Sequence, residues 1–309
     1  MKPTVFITGK REYLITMKVS EYSLKRNSKH PESFDVRLLY LQDFPYLTSR
    51  QGRRYKREPG ILKWHNEDPQ AFTLLRFLPP QLMNYENRAV VIDPDIFAVG
   101  DVYSLLTRDM RGKVILCKKK DYTNSKKPNR RSHFASSVML LDCAHLKHWE
   151  WEKQLDAMFR MERHYNNWMN MRLEPEETIG ALEDEWNHYD TLTPDTKLLH
   201  NTNRSTQPWL TGLPYDRRLK KHVEKMFGVF PAAWREGICS LLRGEGYLPY
   251  GRHERHPDAN QEKLWFSLLK GALRDGFISE SDLRNEIEKK HVRSDALAIL
   301  ETAEEPALA

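Results

Sequence analysis

Apolar and polar positions along the first two thirds of the chain follow two patterns, one typical of strands and the other of helices. Short, nearly uninterrupted apolar runs are typical of strands, and apolar residues at helical spacing separate them. The predicted strands are residues 4–8, 34–41, 89–92, 113–117, 137–142 and 197–200, and the predicted helices are 13–26, 72–82, 102–106 and 145–161. A strand, a helix and a second strand at the start of the chain predict an α/β fold built on a parallel sheet.

Beyond Pro214 the apolar residues recur at helical spacing. Predicted helices cover residues 217–227, 231–243, 262–275 and 279–290. We therefore expect one domain over residues 1–215 and a helical C-terminal extension over residues 216–309. Residues 48–69 are polar and irregular, and such a long surface excursion often lines a functional site.

Two carboxylates directly follow the most apolar predicted strand. The run 89–92 reads as a strand buried on both faces, and Asp93-Pro94-Asp95 follows it. Residues two apart on an extended strand point to the same side, and Pro94 stiffens this geometry. Such a pair suits Mg²⁺ or Mn²⁺, which would neutralise a diphosphate at the carboxyl end of the sheet. The tripeptide alone equally fits a turn with capping carboxylates.

Composition narrows the class of protein. Hydrophobic residues make up 39% and charged residues 30% of 309 residues, as in a globular rather than a disordered protein. The apolar run at the N-terminus is too short for a signal peptide, and no window approaches a transmembrane segment, so we expect a cytoplasmic protein. Cys117, Cys143 and Cys239 lack Cys-x-x-Cys spacing, which predicts reduced structural thiols.

The formal charge of +6 comes largely from short basic runs at 53–57, 118–120 and 126–131. Tyr55 and Tyr122 interleave with them, so a nucleic-acid-binding protein is one alternative. The chain has no nucleic-acid-binding motif, and +6 is modest for its length. We therefore expect no nucleic-acid partner. The runs are either solvated loops or contacts for a diphosphate or an anionic glycan. The basic segment 217–222 could likewise bind an acceptor, a partner or a membrane surface.

Three segments resemble glycosyltransferase family 8, the group of glycogenin and the bacterial lipopolysaccharide galactosyltransferases. Residues 88–96 with 99–102 resemble the family's Asp-x-Asp region. Residues 72–77 resemble the helix whose arginine approaches the donor phosphate and sugar. Residues 197–200, leading to 206–209, resemble a late histidine motif that ends in Pro-Trp. The resemblance covers residues 4–212 in the family's order and leaves the helical extension uncovered.

The resemblance implies a GT-A type, Rossmann-like nucleotide-diphospho-sugar transferase fold with a C-terminal helical extension. It implies transfer of a hexosyl group, with retention, from a UDP- or GDP-linked donor to a glycan, lipid or protein acceptor. It assigns Asp93, Asp95 and His200 as metal ligands. An imidazole beside two carboxylates favours Mn²⁺ over Mg²⁺.

The same resemblance implies the residues that bind the donor. Ile7 and Thr8 occupy the position where the family holds base and ribose, and Tyr13 lies either against the base or in the packing of the first helix. Arg76 is the arginine near the diphosphate, and Gln207 stands where the family commonly has a lysine before Pro-Trp. Catalysis would rest mainly on stabilising the departing diphosphate.

The sequence departs from the family in the segments that contact the donor sugar. The Asp-Gln-Asp segment beneath the donor sugar has no clear equivalent, and the nearest segment by order is 165–167. Asn166 and Asn167 are therefore the candidate catalytic residues, although they are not ionised. Ala135 replaces a common asparagine, so one hydrogen bond to the sugar is missing. These changes motivate an alternative: a protein of the same fold that binds a nucleotide-sugar or carbohydrate without turning it over.

Overall fold

The computed structural model describes residues 1–58, 60–121, 132–215, 225–226, 230–231 and 251–306. The chain divides into two compact units, residues 1–200 and 201–309. The boundary predicted after residue 215 falls directly before a segment outside the described residues, and it stays a prediction.

The strands and helices are named in chain order. The strands are β1 (Thr4–Gly9), β2 (Asp35–Tyr40), β3 (Arg54–Arg57), β4 (Gly60–Lys63), β5 (Arg88–Ile92), β6 (Ile96–Ala98), β7 (Ile115–Lys120), β8 (His133–Asp142), β9 (Ile179–Leu182), β10 (His188–Tyr189), β11 (Leu198–His200), β12 (Lys225–Met226) and β13 (Phe230–Pro231). The helices are α1 (Leu14–Arg26), α2 (Pro45–Thr48), α3 (Pro79–Leu82), α4 (Val102–Thr107), α5 (Trp151–Phe159), α6 (Tyr165–Met169), α7 (Ala259–Arg274), α8 (Glu280–Glu288) and α9 (Ala296–Glu301).

A six-stranded sheet in the order β2-β1-β5-β8-β7-β9 forms the centre of the first unit. β1 pairs in parallel with β2 and β5, which confirms the predicted α/β class. β8 runs antiparallel to both β5 and β7, so the sheet is mixed: parallel pairing is confined to β2-β1-β5 and to β7 with β9. The physical reason lies in the direct succession of β7 and β8, because strands that follow one another along the chain pair most readily as antiparallel neighbours.

Side chains alternate between the two faces of this sheet. Val5, Ile7 and Ile92 join the apolar cluster on one face together with α1, whereas Phe6 and Val91 join the cluster on the other. Both clusters are buried, so β1 and β5 are covered on both sides, as the uninterrupted apolar runs predicted. The ends of these strands are thereby fixed in position.

The six predicted strands are all present, but the helical expectations are only partly right. Residues 72–82 form a 3₁₀ helix, Ala71–Phe77, followed by α3. The helix expected over 145–161 begins only at Trp151, because Glu150 before it has extended backbone angles. β7 continues to Lys120, beyond the predicted end at residue 117, and β8 begins at His133, before the predicted start at residue 137.

The polar excursion 48–69 contains the hairpin β3–β4, which the sequence pattern did not predict. Tyr55 is 1% exposed, and its ring packs edge-on against Trp64, Phe159 and Tyr165 at centroid distances of 5.8–6.4 Å. One side of the hairpin is therefore anchored in an aromatic cluster, although only Tyr55 in β3 is apolar. Leu62, opposite Tyr55 in β4, packs against the same cluster, so burial of these two side chains stabilises the hairpin.

The second unit contains α7, α8 and α9, and the first two match the helices predicted at 262–275 and 279–290. Ser279 caps α8, its hydroxyl accepting from the backbone N–H of Asp282 at 3.0 Å. Trp209 packs against Trp265 of α7 at 5.7 Å, and the guanidinium of the buried Arg293 donates to Glu262 and Asp295. The Pro-Trp segment thus packs within the helical unit.

Several expectations fall on segments outside the described residues. The helices expected at 217–227 and 231–243 lie mostly there, except that β12 and β13 pair antiparallel in place of helix. The basic segment 217–222, Tyr122, the basic run 126–131 and Cys239 also lie outside. Cys117 and Cys143 are buried free thiols, and burial raises the pKa of Cys143 to about 12. None of the helices in the described part of the chain has the length and apolar character needed to cross a membrane.

Candidate metal centre

The Asp93-Pro94-Asp95 turn follows β5 at the carboxyl end of the parallel pair β1 and β5. Gly9, the last residue of β1, lies close to this turn. A Cβ atom at Gly9 would lie 3.3 Å from Pro94 Cβ and 2.4 Å from Met17 Sδ. A glycine therefore allows the turn to approach β1 closely. The carboxyl ends of strands in open α/β sheets are where ligands bind, so the turn occupies a suitable edge.

β11 brings His200 to the same place. β6, which begins directly after Asp95, pairs antiparallel with β11, and His200 lies opposite Ile96. His200 Nε2 is 3.3 Å from Asp95 Oδ1 and 3.9 Å from Asp93 Oδ2. One ligand atom from each of the three residues lies within 4.8 Å of the others. The structure thus brings together all three residues proposed as metal ligands.

Asn187 sets the orientation of the His200 ring. His200 Nδ1 lies 2.8 Å from Asn187 Oδ1, and Asn187 Nδ2 donates to Ser137 Oγ at 3.0 Å. An amide oxygen only accepts hydrogen bonds, so the imidazole proton is on Nδ1. In the neutral ring, Nε2 then carries the lone pair and faces the carboxylates. This is the arrangement in which a neutral histidine binds a metal ion.

Arg76 pairs with Asp93 in a bidentate ion pair. Arg76 Nε donates to Asp93 Oδ1 at 2.8 Å, and a terminal nitrogen donates to Oδ2 at 2.5 Å. Its other terminal nitrogen donates to Ser136 Oγ at 2.9 Å. Burial raises the pKa of Asp93, while the positive charge of Arg76 opposes that rise. Arg76 thereby holds a buried carboxylate and is itself fixed beside it.

The charges and ligand atoms of this group fit a divalent cation. Two carboxylates, one guanidinium and a neutral imidazole sum to a charge of −1, so a divalent ion would leave the site at +1, ready for a diphosphate. A carboxylate offers about four lone-pair positions, and Arg76 uses two of those on Asp93, so a position remains for a metal. Carboxylate and imidazole ligands suit Mn²⁺ or Mg²⁺.

The candidate catalytic residues Asn166 and Asn167 follow Tyr165 in α6, and Tyr165 contacts the 3₁₀ helix that carries Arg76. Thr73 Oγ1 is 2.8 Å from the hydroxyl of Tyr165, the first residue of α6. Thr73 and Arg76 are three apart on a 3₁₀ helix and so share one face. Asn166 Oδ1 accepts from the backbone N–H of Glu58 at 2.9 Å, and Asn167 is half-buried. Their roles stay predictions.

The proposed donor-binding residues differ in their surroundings. Ile7 and Thr8 are fully buried, and Thr8 Oγ1 donates to the carbonyl of Ile92 at 3.4 Å. The hydroxyl of Tyr13 donates to the carbonyl of Pro69 at 3.2 Å, and its ring lies edge-on to that of Phe72. All three retain their proposed roles as predictions, and the contacts of Tyr13 fit its packing role.

Gln207 belongs to the second unit. Its side-chain amide is buried and donates to the carbonyl of Asn201 at 2.9 Å. This contact orders the segment before Pro208, within the helical unit. A role of Gln207 at the phosphates stays a prediction.

Sequence reasoning missed Asn187. It lies between Trp186 and His188 in a stretch without a recognisable motif, so nothing in the sequence distinguished it. Its importance comes from being fully buried between His200 and Ser137, which is a tertiary property.

Replacing Asn187 with leucine is expected to weaken Mn²⁺ binding about 10- to 100-fold, because the acceptor that fixes the His200 proton on Nδ1 is lost. Asn187→Asp keeps an acceptor and should retain most of the affinity. Asn285→Leu makes the same change on the exposed face of α8 and serves as the control. Calorimetric titration with Mn²⁺ compares the three variants, and equal affinities would show that Asn187 does not orient the ring.

Comparison with known proteins gives structural similarity only. No protein-family model matches the sequence, and no curated protein matches it. Among solved structures, the chain is similar to the glycosyltransferase GlyE of Streptococcus pneumoniae TIGR4, with 18% identity and a TM-score of 0.46 over 68% of this chain and 56% of that one. The bifunctional glycosyltransferase WbbM shares 14% identity with a TM-score of 0.44, over 68% of this chain and 47% of that one.

A third similar structure is the galactosyltransferase LgtC, in complex with donor and acceptor sugar analogs. It shares 10% identity with a TM-score of 0.45, over 67% of this chain and 89% of that one. The matched region thus spans about half the length of GlyE and of WbbM, and most of LgtC.

Proposed function

We propose that the chain is a metal-dependent glycosyltransferase that acts in the cytoplasm. It moves a hexosyl group, with retention, from a UDP- or GDP-linked donor to a glycan, lipid or protein acceptor. The convergence of Asp93, Asp95 and His200 beside Arg76 carries this proposal. The resemblance of the segments bearing these residues to glycosyltransferase family 8 supports it further.

The chain's own residues would bind and orient the leaving diphosphate. A bound Mn²⁺ or Mg²⁺, held by Asp93, Asp95 and His200, supplies positive charge that offsets the charge on the departing group. Arg76 uses three of its five N–H groups on Asp93 and Ser136, which leaves two for phosphate oxygens. A cation already fixed in position needs no reorganisation during the reaction.

A second candidate function is nucleotide-sugar binding without turnover. The Asp-Gln-Asp segment that the resembled family has beneath the sugar has no clear equivalent here, and residues 165–167, the nearest segment by order, carry no carboxylate. Asn166 Oδ1 also already accepts a hydrogen bond from the backbone of Glu58. Binding of the donor would be retained in this case, whereas transfer would be absent.

Thermal unfolding of the full chain with UDP- and GDP-linked sugars, with and without Mn²⁺, tests the proposal. A donor at 100 times its dissociation constant should stabilise the protein by about 2.7 kcal/mol. Stabilisation that requires metal, followed by release of the nucleotide from the same donor, supports the enzyme. Binding without any product supports the second candidate, and an absence of binding contradicts both.

A further inference from the structure

The outward face of the β3–β4 hairpin combines positive charge with an exposed aliphatic residue. In its register Arg54 lies opposite Lys63, and Lys56 lies opposite Ile61. Side chains two apart on a strand point the same way, so these four residues share one face. We call them the hairpin face. All four are exposed, while Tyr55 on the other side is buried.

In the part of the chain that the structure describes, no acidic side chain pairs with the charges on the hairpin face. Arg54 and Lys63 are like charges directly across a strand pair, which is destabilising unless an anion lies nearby. Among the described residues, neither Arg54, Lys56 nor Lys63 has a side-chain hydrogen bond or an ion pair. The adjacent Arg50 and Arg57, in contrast, pair with Asp156 and Asp68. The cations that need a partner are those that face outward.

Ile61 adds an apolar contact to this charge. Its exposed fraction is 50%, and it is one of only four large exposed hydrophobic residues in the described part of the chain. It lies across from Lys56 and shares the face with Arg54 and Lys63. A surface that places an aliphatic side chain among cations binds most favourably where anionic groups and an apolar layer occur together.

The side of the hairpin opposite the hairpin face packs against neighbouring aromatic residues. The ring of Tyr55 contacts those of Trp64 and Tyr165, and the Arg57 guanidinium lies 4.4 Å from the centroid of the Tyr165 ring. The backbone N–H of Glu58 donates to Asn166 of α6. These contacts anchor the side of the hairpin that lies opposite the hairpin face.

We propose that the hairpin face docks on an anionic phospholipid surface. Acidic headgroups neutralise Arg54, Lys56 and Lys63, and Ile61 enters the boundary between headgroups and acyl chains. A nucleic-acid phosphate backbone would satisfy the cations but offers no apolar layer for Ile61, so a lipid surface fits better. Docking goes beyond the proposed function and does not depend on donor binding or transfer.

Sedimentation of the full chain with vesicles tests the docking. Vesicles of phosphatidylcholine alone are compared with an equal mixture of phosphatidylcholine and phosphatidylglycerol, at low and high salt. Binding should require the anionic lipid and weaken with salt. The triple variant R54E/K56E/K63E should lower the partition coefficient on the order of 100-fold, since each basic residue contributes roughly five-fold near an anionic surface.

Two further variants separate docking from simple charge. Ile61→Ser should lower partitioning about five- to ten-fold with the charge unchanged, because a half-exposed aliphatic side chain no longer enters the bilayer boundary. K29E/K147E/R172E removes equal charge from exposed positions elsewhere and should bind nearly as the parent does.

Thermal unfolding confirms that each variant is folded. Equal binding by the two triple variants, or no effect of Ile61→Ser, would overturn the docking. Salt-sensitive retention on single-stranded RNA without vesicle binding would overturn it too, in favour of nucleic acid. None of these outcomes bears on donor binding, which is measured separately.

Discussion

The Asp95→Asn variant is expected to lose metal-dependent donor binding by at least about 100-fold while keeping its fold. The substitution is isosteric, but it removes one of the two carboxylate charges that a divalent ion would meet. Asp95 Oδ1 lies 3.3 Å from His200 Nε2, so the loss falls within the proposed group of ligands. Its side chain is 19% exposed, which keeps the cost to stability small.

Titration of Mn²⁺ and then of a UDP- or GDP-linked sugar into the full chain measures this loss. Asp101→Asn is the matched control, because it removes the same charge six residues further on. Asp101 caps α4 through a hydrogen bond from the backbone N–H of Tyr103, and asparagine caps a helix equally well. Unchanged donor binding by Asp95→Asn, with normal unfolding, would contradict the metal site.

Replacing Arg76 with methionine is expected to destabilise the metal-free protein by about 3–5 kcal/mol. Asp93 would lose its bidentate partner while remaining buried at 8% side-chain exposure. An uncompensated buried carboxylate is costly, whereas the methionine fills much of the volume of the arginine stem. Donor binding should fall as well, because a cation beside the diphosphate is lost.

Metal should partly reverse the loss of stability. Without Arg76 the site carries a charge of −2 instead of −1, so Mn²⁺ should bind more tightly and raise the unfolding temperature more than in the parent. Arg108→Met is the control: Arg108 also makes two hydrogen bonds of 2.6 Å to a carboxylate, Glu183, but on the surface. That pair should contribute no more than about 1 kcal/mol.

Denaturant unfolding with and without Mn²⁺ provides both measurements. Similar losses in Arg76→Met and Arg108→Met would show that burial of the Asp93 ion pair does not matter. A destabilised Arg76→Met that gains no more from Mn²⁺ than the parent would contradict a metal site at Asp93.

The position of the two carboxylates could be predicted because it is local. The apolar run 89–92 predicts a doubly buried strand, and Asp93 and Asp95 follow within three residues. His200 is different, since it lies 105 residues after Asp95. No spacing rule joins residues so far apart, and only the resemblance to a family suggested the link. The pairing of β6 with β11 gives it a physical basis.

Other features depend on tertiary packing and could not be read from the sequence. β3 carries three charged residues out of four, and the burial of its Tyr55 in an aromatic cluster cannot be read from that pattern. The antiparallel placement of β8 depends on which strands become neighbours, because a strand has the same pattern in either direction. Asn187 looks like any polar residue until its place beneath His200 is known.

The pairing of β6 with β11 also has a consequence for the order in which this protein is made and folded. Asp93 and Asp95 leave the ribosome about a hundred residues before His200, at a stage when β11 does not yet exist. Closing so long a loop has an entropic cost, and contacts distant in sequence form slowly. The proposed site would therefore be completed late, and capture of the ion would mark the end of folding of the first unit. A nascent chain that stops before residue 198 would hold two ligands and lack the third.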